Sequence, residues 1–189
     1  GEGTLEVYLG IQGDGDTFSV DQRSFELDVE PRRSKMRFQV RFVGDRFQTD
    51  AGVFRLRLSG FTVPLTIQLT DSTLVGRVHI AASGLSMTET LLSGYLHRSA
   101  ILDMVRTIQA SCRADSTDAF CETANNFFDL NRDAADIANI ILPLIGRLDA
   151  RVDESTIESC DPTCSGPNCL ECNAVSVCAM LESTPVHFD

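Results

Sequence analysis

The stretch KMRFQVRF, residues 35–42, alternates without a break. Met36, Phe38, Val40 and Phe42 fall on one side of an extended chain, and Lys35, Arg37, Gln39 and Arg41 on the other. Successive side chains of a β-strand point to opposite faces, so this pattern predicts a strand with one buried and one wet face. Just upstream, SFELDVE at 24–30 repeats it, with Phe25, Leu27 and Val29 against Glu26, Asp28 and Glu30. PRRS at 31–34 separates the two runs. A hairpin about it sets Asp28 opposite Arg37, Glu30 opposite Lys35, Leu27 opposite Phe38 and Val29 opposite Met36. Both faces favour this one register, since a slip of one residue would invert both.

The alternation extends outward. LEVYLGI (5–11), FRLRL (54–58), PLTIQL (64–69), LVGRVHI (74–80) and LLSGYLH (91–97) read as further strands, with a short turn at Asp71–Ser72. Connections this short imply antiparallel neighbours. The expected fold class is mainly β: an antiparallel meander, as a sandwich or an up-and-down barrel, with two or three helices and a C-terminal strand.

The period changes after residue 98. Ile101, Val105, Ile108 and Cys112 recur at helical spacing, with Ser99 as the expected N-cap. Phe120, Cys121, Ala124, Phe127 and Phe128 form a second helical set, capped by Ser116 or Thr117. Ile137, Ile140, Ile141, Leu144 and Ile145 form a third, opened by Asp133 and ended or kinked by Pro143. VSVCAML (175–181) returns to period two as a closing strand. The expected organisation is a sheet region 1–98, a helical segment 99–146, and a cysteine-rich loop with a closing strand at 147–189, packed with the sheet as one domain.

Five of the seven cysteines lie within CDPTCSGPNCLECNAVSVC, residues 160–178. Zinc needs a second close pair about a dozen or more residues from Cys169–Cys172. Cys160 and Cys164 are too near, with Pro162 between them, and no Cys-Pro follows as in a ferredoxin. A redox Cys-x-x-Cys opens a helix, whereas this one precedes a strand. Structural disulfides remain, drawn from Cys112, Cys121, Cys160, Cys164, Cys169 and Cys172. Cys112 and Cys121 sit at the facing ends of two expected helices and could clamp the turn. The pairing of the rest is open. Cys178, in mid-strand, is the expected free thiol, behaving as a small buried hydrophobe. Disulfides place the chain in an oxidising compartment: periplasm, cell surface or outside.

The net charge of -11 argues against nucleic acid and anionic membranes as partners. No apolar run is long enough for a membrane span. A lipid anchor on a processed start is compatible with the sequence. No nucleophile elbow, zinc-protease helix, P-loop or dinucleotide fingerprint occurs. His79 and His97 fall on expected strands; they read as solvated strand histidines, with a general base or metal ligand as the functional alternative. His187 has no motif around it. Asp129, Asn131 and Asp133 match the first three ligands of a calcium loop, but Ala134 stands where Gly belongs and Ile140 where Glu belongs. Calcium is therefore a weak candidate, and an inter-helix turn with Asp133 as N-cap is the plainer reading. GDGD at 13–16 is an expected turn with two carboxylates.

Two stretches, LLSGYLHRSAILDMV (91–105) and CNAVSVCAMLESTPVHF (172–188), resemble cysteine-containing secreted proteins and lipoproteins of myxobacteria-like bacteria. The resemblance implies an envelope or extracellular location and no particular activity. Three functional classes follow from the whole reading. The first is a non-enzymatic extracytoplasmic module binding a partner protein or glycan. The second is a lipocalin-like carrier of an apolar small molecule, with Phe38, Phe42, Phe54 and Phe61 lining its cavity. The third is an enzyme using His79 or His97.

Overall fold

The structure, a computed structural model, describes residues 1–8, 10–12, 18–20, 22–27, 31–58, 65–81, 84–153 and 156–181. The strands are β1 (Glu2–Val7), β2 (Gly10–Gln12), β3 (Phe18–Val20), β4 (Met36–Val43), β5 (Arg46–Thr49), β6 (Gly52–Leu58), β7 (Leu65–Ala81), β8 (Gly84–His97), β9 (Ala150–Val152), β10 (Ile157–Ser159) and β11 (Ala174–Leu181). The helices are α1 (Arg98–Ala114), α2 (Ala119–Phe128) and α3 (Ala134–Ile145). The fold is thus mainly antiparallel β with three helices before a C-terminal strand. Among the described residues the main sheet runs β1-β4-β5-β7-β8-β11-β9-β10, with β6 on β7, and its ends do not pair, so it is not closed. β2 and β3 form a separate ribbon.

The described residues divide into two compact units. One comprises Gly1–Phe54, Thr70–Gly94 and Val177–Asp189; the other comprises Arg55–Leu69 and Tyr95–Ser176. In the first, β4 alternates buried and exposed from Met36 to Arg41, as its sequence dictates. Its inner residues Met36, Phe38 and Val40 join Phe47, Phe54, Leu74 and Leu92 in the core. β4 and β5 are joined by a two-residue turn whose Gly44 has φ 64, a conformation glycine enters without steric cost. Two further glycines let strands approach closely. A Cβ on Gly76 would lie 2.9 Å from the Thr90 backbone, and one on Gly94 would lie 2.6 Å from Ser72 Oγ.

In the second unit, α1 and α3 pack together. Ile101 and Val105 of α1 and Ile137 and Ala138 of α3 are each at most 3% exposed. Ile101 and Val105 belong to the i, i+4 stripe that a helix buries.

Several local expectations are corrected. Residues 24–27 do not form a strand beside β4. Gln22–Ser24 is a turn of 3-10 helix, Phe25 makes a single bridge to Ser34, and Leu27 is 82% exposed. Asp28, Val29 and Glu30 lie outside the described residues. The neighbour of β4 is β1, which sets Leu5 opposite Phe38 and Glu6 opposite Arg37. The physical reason is that β1 satisfies both faces equally well. Glu6 pairs with Arg37 at 3.1 Å, and buried Ser34 ties the start of β4 to β1 by donating to the Val7 carbonyl. LEVYLGI is not one strand, because β1 stops at Val7 and β2 pairs elsewhere. The chain does not reverse at Asp71–Ser72. Asp71 adopts φ 49 inside the continuous strand β7, and Ser72 is fully buried. The helix caps shift too. α1 is capped by His97 rather than Ser99, and α2 by Asp118 rather than Ser116 or Thr117, while Asp133 caps α3. Pro143 lies within the last turn of α3, which continues to Ile145.

Candidate functional site: a polar pocket beside a disulfide

α1 and α2 are held at one end by the Cys112–Cys121 disulfide, whose residues are 8% and 4% exposed. Helical spacing explains their meeting: Cys112 continues the buried stripe of α1 into its last turn, and Cys121 lies in the first turn of α2. The link between the helices is ordered by Asp115, whose carboxylate accepts from the Thr117 hydroxyl at 2.8 Å and its amide at 3.1 Å. These bonds, the hydroxyl's first, hold the Asp115 carboxyl below its ordinary range. Asp161 is lowered in the same way by Thr163. A depressed folded-state pKa adds stability above the unfolded carboxylate range and loses it as pH falls through the folded value. Both turns are therefore expected to loosen only in acid below that range. Hydrogen exchange at the Thr117 and Thr163 amides checks this: protection should fall there, and unchanged protection would refute it.

Beside the bridge opens a pocket of about 430 Å³. Its floor is the disulfide, Leu130 and Gln109. Gln109 is 6% exposed, and its side-chain amide donates to the Leu130 carbonyl at 2.9 Å and the Arg132 carbonyl at 2.8 Å. Two carbonyl partners fix which end of the amide is nitrogen. Gln109 Oε1 then has no protein donor among the described residues, and no fully buried side-chain polar atom there lacks a partner. Oε1 is therefore not fully buried, on a residue that lines the pocket. The rim carries Arg113, Glu122, Asn125 and Asn126, all exposed. Asn125 Oδ1 accepts from the Leu130 amide at 2.9 Å, which leaves its NH₂ group outward as a donor. Arg113 and Glu122 form no ion pair with each other or with any described residue. None of these pocket residues was singled out by sequence for binding except Cys112 and Cys121, as bridge candidates.

The remaining cysteines pair as Cys160–Cys172 and, nested within that loop, Cys164–Cys169. Residues 161–168 are all exposed. After the loop, the Asn173 side chain donates to and accepts from the Val152 backbone at 3.0 and 2.7 Å, in the manner of a strand neighbour. Cys178 is the free cysteine, but it is exposed and not a buried hydrophobe. It shares the outward face of β11 with Ser176 and Met180, while Val177, Ala179 and Leu181 turn inward. Native protein treated with a maleimide is thus expected to take one label, at Cys178, and Cys178→Ser none. More than one label on wild type would contradict the three bridges.

The calcium candidates each make local bonds. Asp129 ends α2 at φ 47 and accepts weakly from Asn131, while the Asp133 carboxylate caps α3 by accepting from the Ala135 amide at 2.8 Å. No group of three acidic, histidine or cysteine side chains suited to a metal occurs among the described residues. His79 is exposed, without a hydrogen-bond partner or ion pair among the described residues. His97 Nδ1 lies 3.1 Å from the Ser99 amide and 2.6 Å from Ser99 Oγ, a local capping arrangement, and no described carboxylate reaches its ring. Phe38 and Phe54 are buried at 2% and 6%, Phe42 is half-buried beside Phe47, and Phe61 lies outside the described residues. His187 and the GDGD turn also lie outside them.

Comparison with protein-family models, curated proteins and solved structures finds no match for this chain.

Proposed function

We propose that the chain is a non-enzymatic extracytoplasmic binding module of the cell envelope or its surroundings. Disulfides of this number persist in oxidising compartments, and no described helix is long and apolar enough to cross a membrane. The observation that carries the reading further is the pocket beside Cys112–Cys121. It is preorganised by a covalent bridge and two carbonyl–amide bonds, and its rim offers polar groups that are not committed elsewhere. Preorganisation lowers the entropic cost of binding. A glycan or a polar segment of a partner protein suits it better than an apolar small molecule.

Two observations weigh against the other classes. The inner phenylalanines Phe38 and Phe54 fill the core instead of lining a space. Among the described residues, neither His79 nor His97 has the nucleophile–base–carboxylate geometry of a triad. The periplasm, the outer-membrane surface and the medium are the locations this reading allows, with a lipid anchor compatible with the first two. Fractionation of the native host, with thiols trapped by alkylation before lysis, tests it. We expect the chain outside the cytoplasm with one alkyl group. A cytoplasmic chain with seven alkylated cysteines would end this reading.

A further inference from the structure

We propose that the pocket beside Cys112–Cys121 binds a neutral sugar unit through adjacent hydroxyl groups. This rests on reading the chain as a binding module and names the ligand class. Gln109 sets the first requirement. Its NH₂ group is spent on Leu130 and Arg132, so the site offers a fixed acceptor from a nearly buried residue. The ligand must therefore bring a donor. Asn125 sets the second, because its carbonyl is spent on the Leu130 amide and its NH₂ group is free to donate. The ligand must also bring an acceptor. Arg113 and Glu122 repeat this pairing at the rim, one donor-only and one acceptor-only.

A hydroxyl group both donates and accepts, and neighbouring hydroxyls on a ring answer alternating donors and acceptors. The two rim charges cancel, so the pocket favours neither anion nor cation. The chain's net charge of -11 further disfavours an acidic sugar. A volume of about 430 Å³ lies within the small-molecule range of about 300–1,000 Å³. The disulfide and Leu130 supply apolar floor for the ring's C–H face.

The test uses the full oxidised chain on a printed panel of neutral and acidic mono- to tetrasaccharides, with saturation-transfer NMR on the hits. We expect binding to neutral sugars. Arg113→Ala and Glu122→Ala should each weaken it by about tenfold or more, as loss of a hydrogen bond to a charged group does, with melting unchanged. Both residues are exposed and unpaired, so the fold does not depend on them. Gln109→Met should abolish binding, and its melting curve separates loss of the acceptor from loss of the fold. No neutral sugar bound, acidic sugars only, or binding indifferent to both rim changes would overturn the proposal. If the bridges are intact and nothing binds, the pocket assignment falls and the extracytoplasmic module stands. If the oxidised chain binds neutral sugar but the chain in its host is found reduced in the cytoplasm, the pocket assignment stands and the extracytoplasmic reading falls.

Discussion

Phe38→Ala is expected to destabilise the chain by about 3–5 kcal/mol, the cost of emptying a packed aromatic site. Phe38 is 2% exposed, between Met36 and Val40 on the inner face of β4, with Leu5 opposite on β1. Its ring lies where Gly52 leaves room for it, since a Cβ there would come within 2.8 Å of the ring. The truncated site cannot collapse cheaply, because β1 and β4 are fixed by their ladder and the Glu6–Arg37 pair. For a chain of this length about 2–4 °C is lost per kcal/mol, so the melting temperature should fall by about 6–20 °C. The same variant separates a core from a carrier. In a carrier, Phe38 would face a cavity, and its truncation would cost little stability while changing the binding of an apolar fluorescent probe. Thermal melting with a parallel probe titration decides. A small loss of stability together with altered probe binding would restore the carrier reading.

The parts legible in sequence are those where one periodicity dominates. β4, β6, β11, the 91–97 half of β8 and the three helices all follow from it, because each buries one face and the pattern records which. Pairing was less legible. The run from residue 24 carries the same alternation as β1, and the Ser34 bond to Val7 and the Glu6–Arg37 pair are what tie β1 to β4. Short strands escaped altogether. RFQT of β5 is four residues long, and its signal was the Gly44–Asp45 turn before it rather than its own alternation. β9 and β10 are three residues each, too short to show a period. Long strands mislead differently. β7 runs through Asp71 because an aspartate tolerates a positive φ without reversing the chain. The pocket had no sequence signature. Gln109 occupies a position on the buried stripe of α1 that looks like an ordinary polar interruption. Only the carbonyls of Leu130 and Arg132, brought over by the α2–α3 link, give its amide a direction.

Replacing both Cys112 and Cys121 by alanine is expected to cost about 2–4 kcal/mol and to abolish ligand binding at the pocket. Alanine is chosen because both positions are buried, where a serine hydroxyl would go unpaired. The comparison is the Cys164→Ala, Cys169→Ala pair. Loop closure alone separates the two bridges by only about 0.5 kcal/mol, for sequence separations of 9 and 5. What distinguishes them is the native side. Cys112–Cys121 packs inside the helical unit and forms the pocket floor, so its loss also leaves a void and frees the end of α1 from the start of α2. Cys164–Cys169 closes a loop whose residues 161–168 are exposed, and its loss disturbs little beyond that loop. Graded reductant should open the exposed bridge first, with sugar binding retained until the helical bridge goes. Mass mapping of alkylated peptides beside a binding assay at each step reads this order. Binding that survives reduction of Cys112–Cys121, or a larger melting shift from the 164–169 pair, would show that the bridge does not hold the pocket.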